Sequence, residues 1–305
     1  MPDFAISIPQ FYSDGAFDPD DFRARMRRIE ELGFDSAWTQ EQVLTISQMP
    51  QLGAIETMTY AAACTSRIRL GCAVFVSSLH SPVHLARSLS TLDQLSRGRL
   101  DVGVGFGGKG RALSAFGIEP EGLLTRFTEG LTVMRALWSE PTVDFQGRFW
   151  QLNGVRMEPK PFQKPLPVWF GGGSPNALRR AARLGDGFFG AGSSTIDAFA
   201  DQVRTLRTEL LAAGRNPDDY PIAKRLYVAI DDDPAAARAS VEGNLEKLYG
   251  TTAMAPTAVA GTAKDVIVEA QRAIEAGAGT VLFTPMSQDP EQAERIAAEI
   301  IPALR

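Results

Sequence analysis

Histidine and cysteine are scarce in this sequence: its 305 residues hold two of each. His80 and His84 alone cannot build a histidine-rich metal centre, so no metal is expected. Cys64 and Cys72, in apolar surroundings, fit reduced core residues of a cytoplasmic protein better than a disulfide framework. No apolar run approaches the roughly 20 residues that cross a bilayer. Met1-Pro2-Asp3-Phe4 has neither the basic nor the apolar region of a signal peptide, which again points to the cytoplasm. Basic clusters are missing too. A formal charge of −5 offers nothing to neutralise a phosphate backbone and argues against a nucleic-acid partner. What remains, 44% hydrophobic and 22% charged residues, is the ordinary make-up of a globular enzyme-sized chain.

Within that composition, short apolar strands alternate with amphipathic helices. Phe4–Ile8 reads as a first strand, and Asp18-Pro19-Asp20-Asp21 opens a helix with an N-cap, a proline at N1 and acids in the first turn. Phe22, Met26, Ile29 and Leu32 share one face of it. Strands follow at 35–38, 67–76 and 100–105, with helices near 57–65 and after Ser81-Pro82. The second of these helices carries a stripe of Leu85, Leu89, Leu92 and Leu95. A longer helix with Leu124, Phe127, Leu131, Met134 and Trp138 runs to about Ser139. Residues 140–166 then break the alternation with a hairpin turning at Gln146-Gly147 and a proline-rich return. They read as an insertion after the fourth barrel unit, near the open end, placed to act as a lid. Strands at 167–171, 186–190, 222–230 and 280–283 complete the set, with 250–261 as a loop of weak pattern and 290–304 as the closing helix.

Eight strands and their helices in one domain spanning 1–305 predict a (β/α)₈ TIM barrel, class α/β. Helical crossovers make the strands parallel and bury both their faces. A doubly wound open sheet is the alternative. In a barrel, ligands bind at the C-terminal ends of the strands, with phosphate sites in the later loops.

One stretch there stands out. Pro167-Val168-Trp169-Phe170 leads into Gly171-Gly172-Gly173, and Ser174-Pro175 then caps and starts a helix. Consecutive glycines admit positive φ and let a ligand approach the backbone. The amides of Asn176, Ala177 and Leu178, at the positive end of the helix dipole, would suit a phosphate. The bland reading is a well-capped turn. Gly103-Val104-Gly105-Phe106-Gly107-Gly108 matches G-x-G-x-x-G, yet the helix and acid-ended strand of a dinucleotide fold do not follow. A strand end where a flat ring lies against the backbone fits better. Glu41, in Trp38-Thr39-Gln40-Glu41-Gln42, would face a ligand as acceptor or base, or be a solvated loop acid. Phe11 and Tyr12 could wall a pocket. His80 and His84 are candidate acid–bases with no visible partner. No nucleophilic triad assembles, and a pocket poor in titratable groups suits an enzyme whose cofactor carries the chemistry.

Several of these segments together resemble the luciferase-like monooxygenase superfamily, and its coenzyme F420-dependent oxidoreductases in particular. They are Gly33-Phe34-Asp35-Ser36-Ala37-Trp38, Thr65-Ser66-Arg67-Ile68-Arg69-Leu70-Gly71, Leu92–Leu100 with Gly103-Val104-Gly105, Phe145–Trp150, and Ala182–Gly187. The resemblance covers nearly the whole chain. It implies a barrel that binds coenzyme F420, or alternatively FMN, for hydride transfer or monooxygenation of a small organic substrate. It implies a homodimer and, for the FMN chemistry, a separate reductase. It would set the cofactor phosphate on Gly171, Gly172, Gly173 and Ser174. The ring would lie near Ala73-Val74, where family members carry a non-prolyl cis peptide. Phe106, Gly107 and Gly108 would line the cofactor's edge, and Glu41 its polar head. F420-dependent sugar-phosphate and alcohol dehydrogenases carry an Asp-His pair after strand two, where this chain has Glu41-Gln42. Since a glutamine cannot take a proton at neutral pH, the candidates for the chemistry are Glu41, Gln42 and His80. A flavin-binding barrel without turnover, and a phosphate-handling lyase or isomerase, are the competing readings.

Overall fold

Apolar strands and amphipathic helices alternate throughout the computed structural model, which describes residues 1–12, 17–44, 49–107, 112–287, 289 and 291–305. The strands are β1 (Asp3–Ser7), β2 (Ser36–Thr39), β3 (Arg69–Val76), β4 (Leu100–Gly105), β5 (Val143–Gln146), β6 (Gln151–Val155), β7 (Val168–Gly171), β8 (Gly187–Gly190), β9 (Ile222–Ile230), β10 (Val259–Gly261) and β11 (Thr280–Pro285). The helices are α1 (Pro19–Glu31), α2 (Ala54–Cys64), α3 (Pro82–Ser96), α4 (Ala112–Ala115), α5 (Leu123–Ser139), α6 (Pro175–Leu184), α7 (Ile196–Ala212), α8 (Pro234–Tyr249) and α9 (Ala263–Glu275). A last helix, α10 (Glu291–Arg295), continues through a π turn into α11 (Ile301–Leu304).

Eight of the strands form a closed parallel ring. β1 pairs with β2 and β11, β2 with β3, β3 with β4, β4 with β7 and β7 with β8. The pairing of β8 with β9, Phe188 opposite Ile222, closes it. That closure excludes the open doubly wound sheet and makes this a (β/α)₈ barrel. β10 pairs with the last residues of β9, outside the ring. The weakly patterned loop expected over 250–261 therefore ends in a strand, whose three residues are too few to show a period.

Local chemistry explains the element ends. Asp18 accepts hydrogen bonds from the Asp20 and Asp21 amides ahead of Pro19, and Thr262 with Asp265 forms a capping box on α9. Two expected core leucines face outward. Leu95 is 60% and Leu124 44% exposed. In α3 the i+4 step from Leu92 lands on buried Ser96, and in α5 the buried stripe starts one residue earlier, at Leu123.

The ring is solid below its mouth. Trp38, Trp169 and Phe189 meet inside it with centroids 4.8–6.2 Å apart, packed with Ala5, Ala223 and Leu282. The Trp38 indole donates to Ser36 Oγ at 2.9 Å and the Trp169 indole to Asp101 Oδ1 at 3.3 Å. Gly71 and Gly187 are bare because a Cβ on either would enter these indole rings. The three rings thus fill the barrel interior below the C-terminal ends of the strands.

Residues 140–166 form an excursion after β4 and α5, and β5 and β6 make its antiparallel hairpin. The Glu129 carboxylate accepts from the Arg148 and Phe149 amides at the hairpin tip, and Trp150 lies under the Arg126 guanidinium. Pro159, Lys160 and Gln163 bond to Ser90, Gln94 and Asp93 of α3. These contacts hold the excursion as a brace along α3 and α5.

Candidate functional site at the barrel mouth

The mouth on the β3–β4–β7 side is shaped by missing side chains. The β3–β4 register shifts between Cys72 and Phe75, and the Ala73–Val74 peptide is cis. A Cβ on Gly103 would collide with the Cys72 carbonyl, so the bulge needs glycine opposite. The Val74 side chain then lies between two strands. Cβ atoms on Gly105 and Gly171 would come within 2.8 and 2.9 Å of its two methyls. Gly107, at φ +73, passes over Val76. The half-buried Phe106 ring has the Arg180 guanidinium over it at 5.7 Å. Its carbonyl accepts from Ser78 Oγ at 2.6 Å, and the Ser78 carbonyl accepts from Arg126 at 3.1 Å. Gly108 lies outside the described residues.

The glycine turn follows directly on β7. Gly172 sits at φ +112, a conformation that requires glycine. Ser174 is the N-cap of α6, its Oγ accepting from the Ala177 amide at 3.3 Å. Not every expected amide is free. Those of Ala177 and Leu178 bond the Ser174 carbonyl at 2.8 and 3.0 Å, as first-turn amides do when the cap carbonyl folds under them. The free donors are one step earlier. The N–H groups of Gly173, Ser174 and Asn176 have no partner among the described residues and are exposed. Neither Arg126 nor Arg180 has a carboxylate within ion-pair distance among the described residues, and burial lowers the pKa of both.

The structure brings two of the three candidate acid–base residues together. Glu41 Oε1 lies 2.9 Å from His80 Nε2, and Glu41 Oε2 accepts from the Val76 amide at 2.7 Å. The Glu41 side chain is 9% exposed and that of His80 26%. With Nε2 turned to the Glu41 carboxyl, the other ring nitrogen, Nδ1, lies on the far side of the imidazole from it. The β2 and β3 loops thereby join at the foot of the Val74 bulge. Gln42 is half-buried, with no bond to a described residue, and His84 is exposed on α3.

A cavity of about 490 Å³ lies on the opposite side, against β1, β2, β9 and β11. Phe11 and Tyr12 do wall a pocket, this one. None of Glu41, Gln42, His80, Val74, Phe106 or the Gly171–Ser174 turn lines it. The turn itself is exposed over residues 172–176.

Comparison with known proteins agrees with this architecture. Residues 4–302 match the model of the family described as luciferase-like monooxygenase. The chain belongs to that family. An F420-dependent glucose-6-phosphate dehydrogenase of Kineococcus radiotolerans is 29% identical over 219 residues, 69% of this chain and 64% of that protein. An uncharacterized protein of Mycobacterium tuberculosis is 37% identical over 195 residues, 62% of this chain and 66% of its own length. An FMNH₂-dependent dimethylsulfone monooxygenase of Pseudomonas putida is 28% identical over 225 residues, 72% of this chain and 61% of that protein. The chain thus spans a little under two thirds of these curated relatives. Among solved structures, an F420-dependent secondary alcohol dehydrogenase in complex with an F420-acetone adduct superposes with a TM-score of 0.87. Its identity is 22%, over 100% of this chain and 99% of that one, which speaks for the fold.

Two features of this luciferase-like chain escape a reading of the sequence. Lys224 and Arg225, neighbours on β9, are 1% and 7% exposed. Lys224 turns outward and donates to the Ala191 and Ser194 carbonyls and to Ser194 Oγ at 2.5–3.0 Å, while burial and the adjacent Arg225 push its ammonium down to about 7. Arg225 turns inward. Its guanidinium donates to Gln40 Oε1 at 2.8 Å and to the Ala73 carbonyl at 3.1 Å. The Gln40 amide donates to Tyr249 Oη at 3.0 Å, and Tyr249 lies 3.0 Å from Tyr227 Oη. Burial raises the Tyr249 pKa, keeping that hydroxyl protonated. The available signal is two adjacent charges inside a nine-residue apolar strand, an arrangement that demands buried partners.

Proposed function

We propose that the chain is a flavin- or deazaflavin-dependent oxidoreductase whose cofactor is coenzyme F420, exchanging hydride with a small organic substrate. The observation that carries this reading is the shelf after β7. It presents three unpartnered backbone donors at the N-terminus of α6, on a turn where Gly172 leaves no side chain to obstruct approach. The Arg180 guanidinium on α6 lies over Phe106, and that of Arg126 lies over Trp150 and donates to the Ser78 carbonyl; neither has a carboxylate partner among the described residues. Such a surface fits a phosphate and further negative charge along a cofactor tail. The residues that would hold the cofactor are Gly171, Gly172, Gly173 and Ser174 at its phosphate, and Ala73, Val74, Phe106 and Gly107 along its ring. When bound, the deazaflavin supplies the carbon that gives or takes the hydride.

The chain's own part is positioning and proton handling. Val74, set between Gly105 and Gly171, gives the ring a backstop. Glu41 fixes His80 through Nε2, so Nδ1 is left to accept or return a proton. With Gln42 unable to titrate, that pair is the acid–base group nearest the bulge. The naming of several relatives as F420-dependent supports this reading. The dimethylsulfone monooxygenase, matched at nearly the same identity as the F420-dependent relative, favours a second one: an FMN-dependent monooxygenase supplied with reduced flavin by a separate reductase.

Fluorescence titration of the purified protein with F420 and with FMN tests the choice. Saturable quenching of F420 is expected. No change with F420 beside clear binding of FMN selects the second reading, and binding of neither removes both. Binding without turnover over a broad substrate panel would favour a barrel that only carries its flavin.

A further inference from the structure

We infer that the cavity against β1, β2, β9 and β11 is the substrate chamber, and that Arg225 at its inner end binds a carboxylate on an otherwise apolar substrate. This deepens the oxidoreductase reading and rests on it. Arg225 and Thr284 both line the cavity, and each is 7% exposed. The Arg225 Nε and the Thr284 Oγ1 are buried with no hydrogen-bond partner. Of the five N–H donors of a guanidinium, two are used, both on neutral oxygens: Gln40 Oε1 and the Ala73 carbonyl. No carboxylate among the described residues lies within ion-pair distance of it.

The other charges of this cavity are already satisfied. Arg25 pairs with Asp21, Arg28 pairs with Glu294, Asp18 caps α1, and Asp289 accepts from the Glu291 amide at the start of α10. Among the residues that line the cavity, Arg225 is the buried cation with no counter-ion among the described residues, a state that strongly favours binding an anion. Apolar side chains, Ile8, Phe11, Leu248 and Met286 among them, make up the larger part of the exposed wall between these polar groups. A chamber of about 490 Å³ takes a small organic molecule rather than a macromolecule. The bond from Arg225 to the Ala73 carbonyl puts this anchor next to the bulge that would back the cofactor ring. The carboxylate would therefore be held where the reacting end of the substrate can meet the cofactor.

Calorimetry with octanoate, 1-octanol and octylamine tests the assignment on the cofactor-free and cofactor-loaded protein. Octanoate is expected to bind at least about tenfold tighter than 1-octanol, with octylamine weakest, in both forms. Arg225→Met should abolish the preference, Arg225→Lys restore part of it, and Thr284→Val weaken octanoate by about threefold. The dissociation constant for F420 or FMN, measured on the same variants, should move less than about threefold. Equal binding of octanoate and 1-octanol, or no binding of either, overturns the assignment. So does an Arg225→Met protein that keeps its octanoate preference but loses the cofactor, for then Arg225 serves the ring. Because the octanoate arm is run without cofactor, a failed cofactor titration leaves its result separately readable. Should Arg225→Met not fold, Arg225→Lys and Thr284→Val carry the test.

Discussion

On the β3–β4–β7 flank of the mouth the chain removes side chains, and on the β9–β11 flank it inserts its largest buried polar ones. Gly103, Gly105, Gly107 and Gly171 to Gly173 leave backbone donors and one valine facing the ligand space. Across the barrel, Arg225, Gln40, Tyr249 and Tyr227 form a hydrogen-bonded cluster beside a cavity. On the proposed reading, the contrast teaches how one barrel would serve two binding tasks. Bare backbone suits a flat ring and a phosphate, whose recognition needs close approach and N–H groups. A buried charge suits a small molecule that must be oriented and shielded from water.

The strongest way to separate the flanks acts on the pair between them. His80→Asn keeps a polar group but removes the imidazole, so turnover should fall by about 10²–10⁴ while cofactor affinity stays within a few-fold. Steady-state kinetics beside a cofactor titration checks this, and unchanged turnover would remove the Glu41–His80 pair from the chemistry. Next in size, Trp169→Ala hollows the floor under both flanks and should cost about 3–5 kcal/mol of stability, read by urea denaturation. A loss confined to one ligand, with stability intact, would mean the rings do not support both flanks. Gly171→Val puts a side chain against the Val74 methyls, overpacking worth about 1–3 kcal/mol. Cofactor binding should weaken roughly in proportion while octanoate binding in the cofactor-free protein is spared. Equal loss of both would show one continuous site.

The smallest effect concerns the barrel's opposite end and serves as a control. Burial disfavours a charge on Glu30, but the amides of Ile68, Arg67 and Ser66 outweigh it and hold its carboxyl at about 2. A carboxyl lowered from 4.5 stabilises the fold above that pH and loses the contribution as pH falls toward 2. Glu30→Gln should therefore melt a few degrees lower near neutral pH, with the gap to wild type closing as pH drops through 4.5 to 3. Ligand binding at either flank should not change.

Much of the fold was legible in the sequence because it depends on local patterns. Asp18-Pro19, Ser174-Pro175 and Thr262 with Asp265 mark helix starts by cap chemistry alone, and the strands carry continuous apolar runs. The glycine turn was legible for the same reason, although which amides stay free depended on where the Ser174 carbonyl pointed. The ring's closure rests on β8 meeting β9, and only the count of strands hinted at it. The polar clusters were not legible, because their members are far apart in the chain. Glu41 and His80 are 39 residues apart, and Gln40 and Arg225 are 185 apart. Nothing in either member's neighbourhood names the other. The Lys224-Arg225 doublet inside an apolar strand was the one local sign that a buried charge had to be answered elsewhere.

The most direct measurement compares each phosphorylated cofactor with its phosphate-free counterpart: F420 against the bare deazaflavin chromophore, and FMN against riboflavin, titrated into the same protein. If the shelf after β7 grips the phosphate, the phosphorylated form of the true cofactor binds at least about tenfold tighter, and the advantage shrinks in Gly172→Ala. Equal affinity for the two forms in wild-type protein would contradict it.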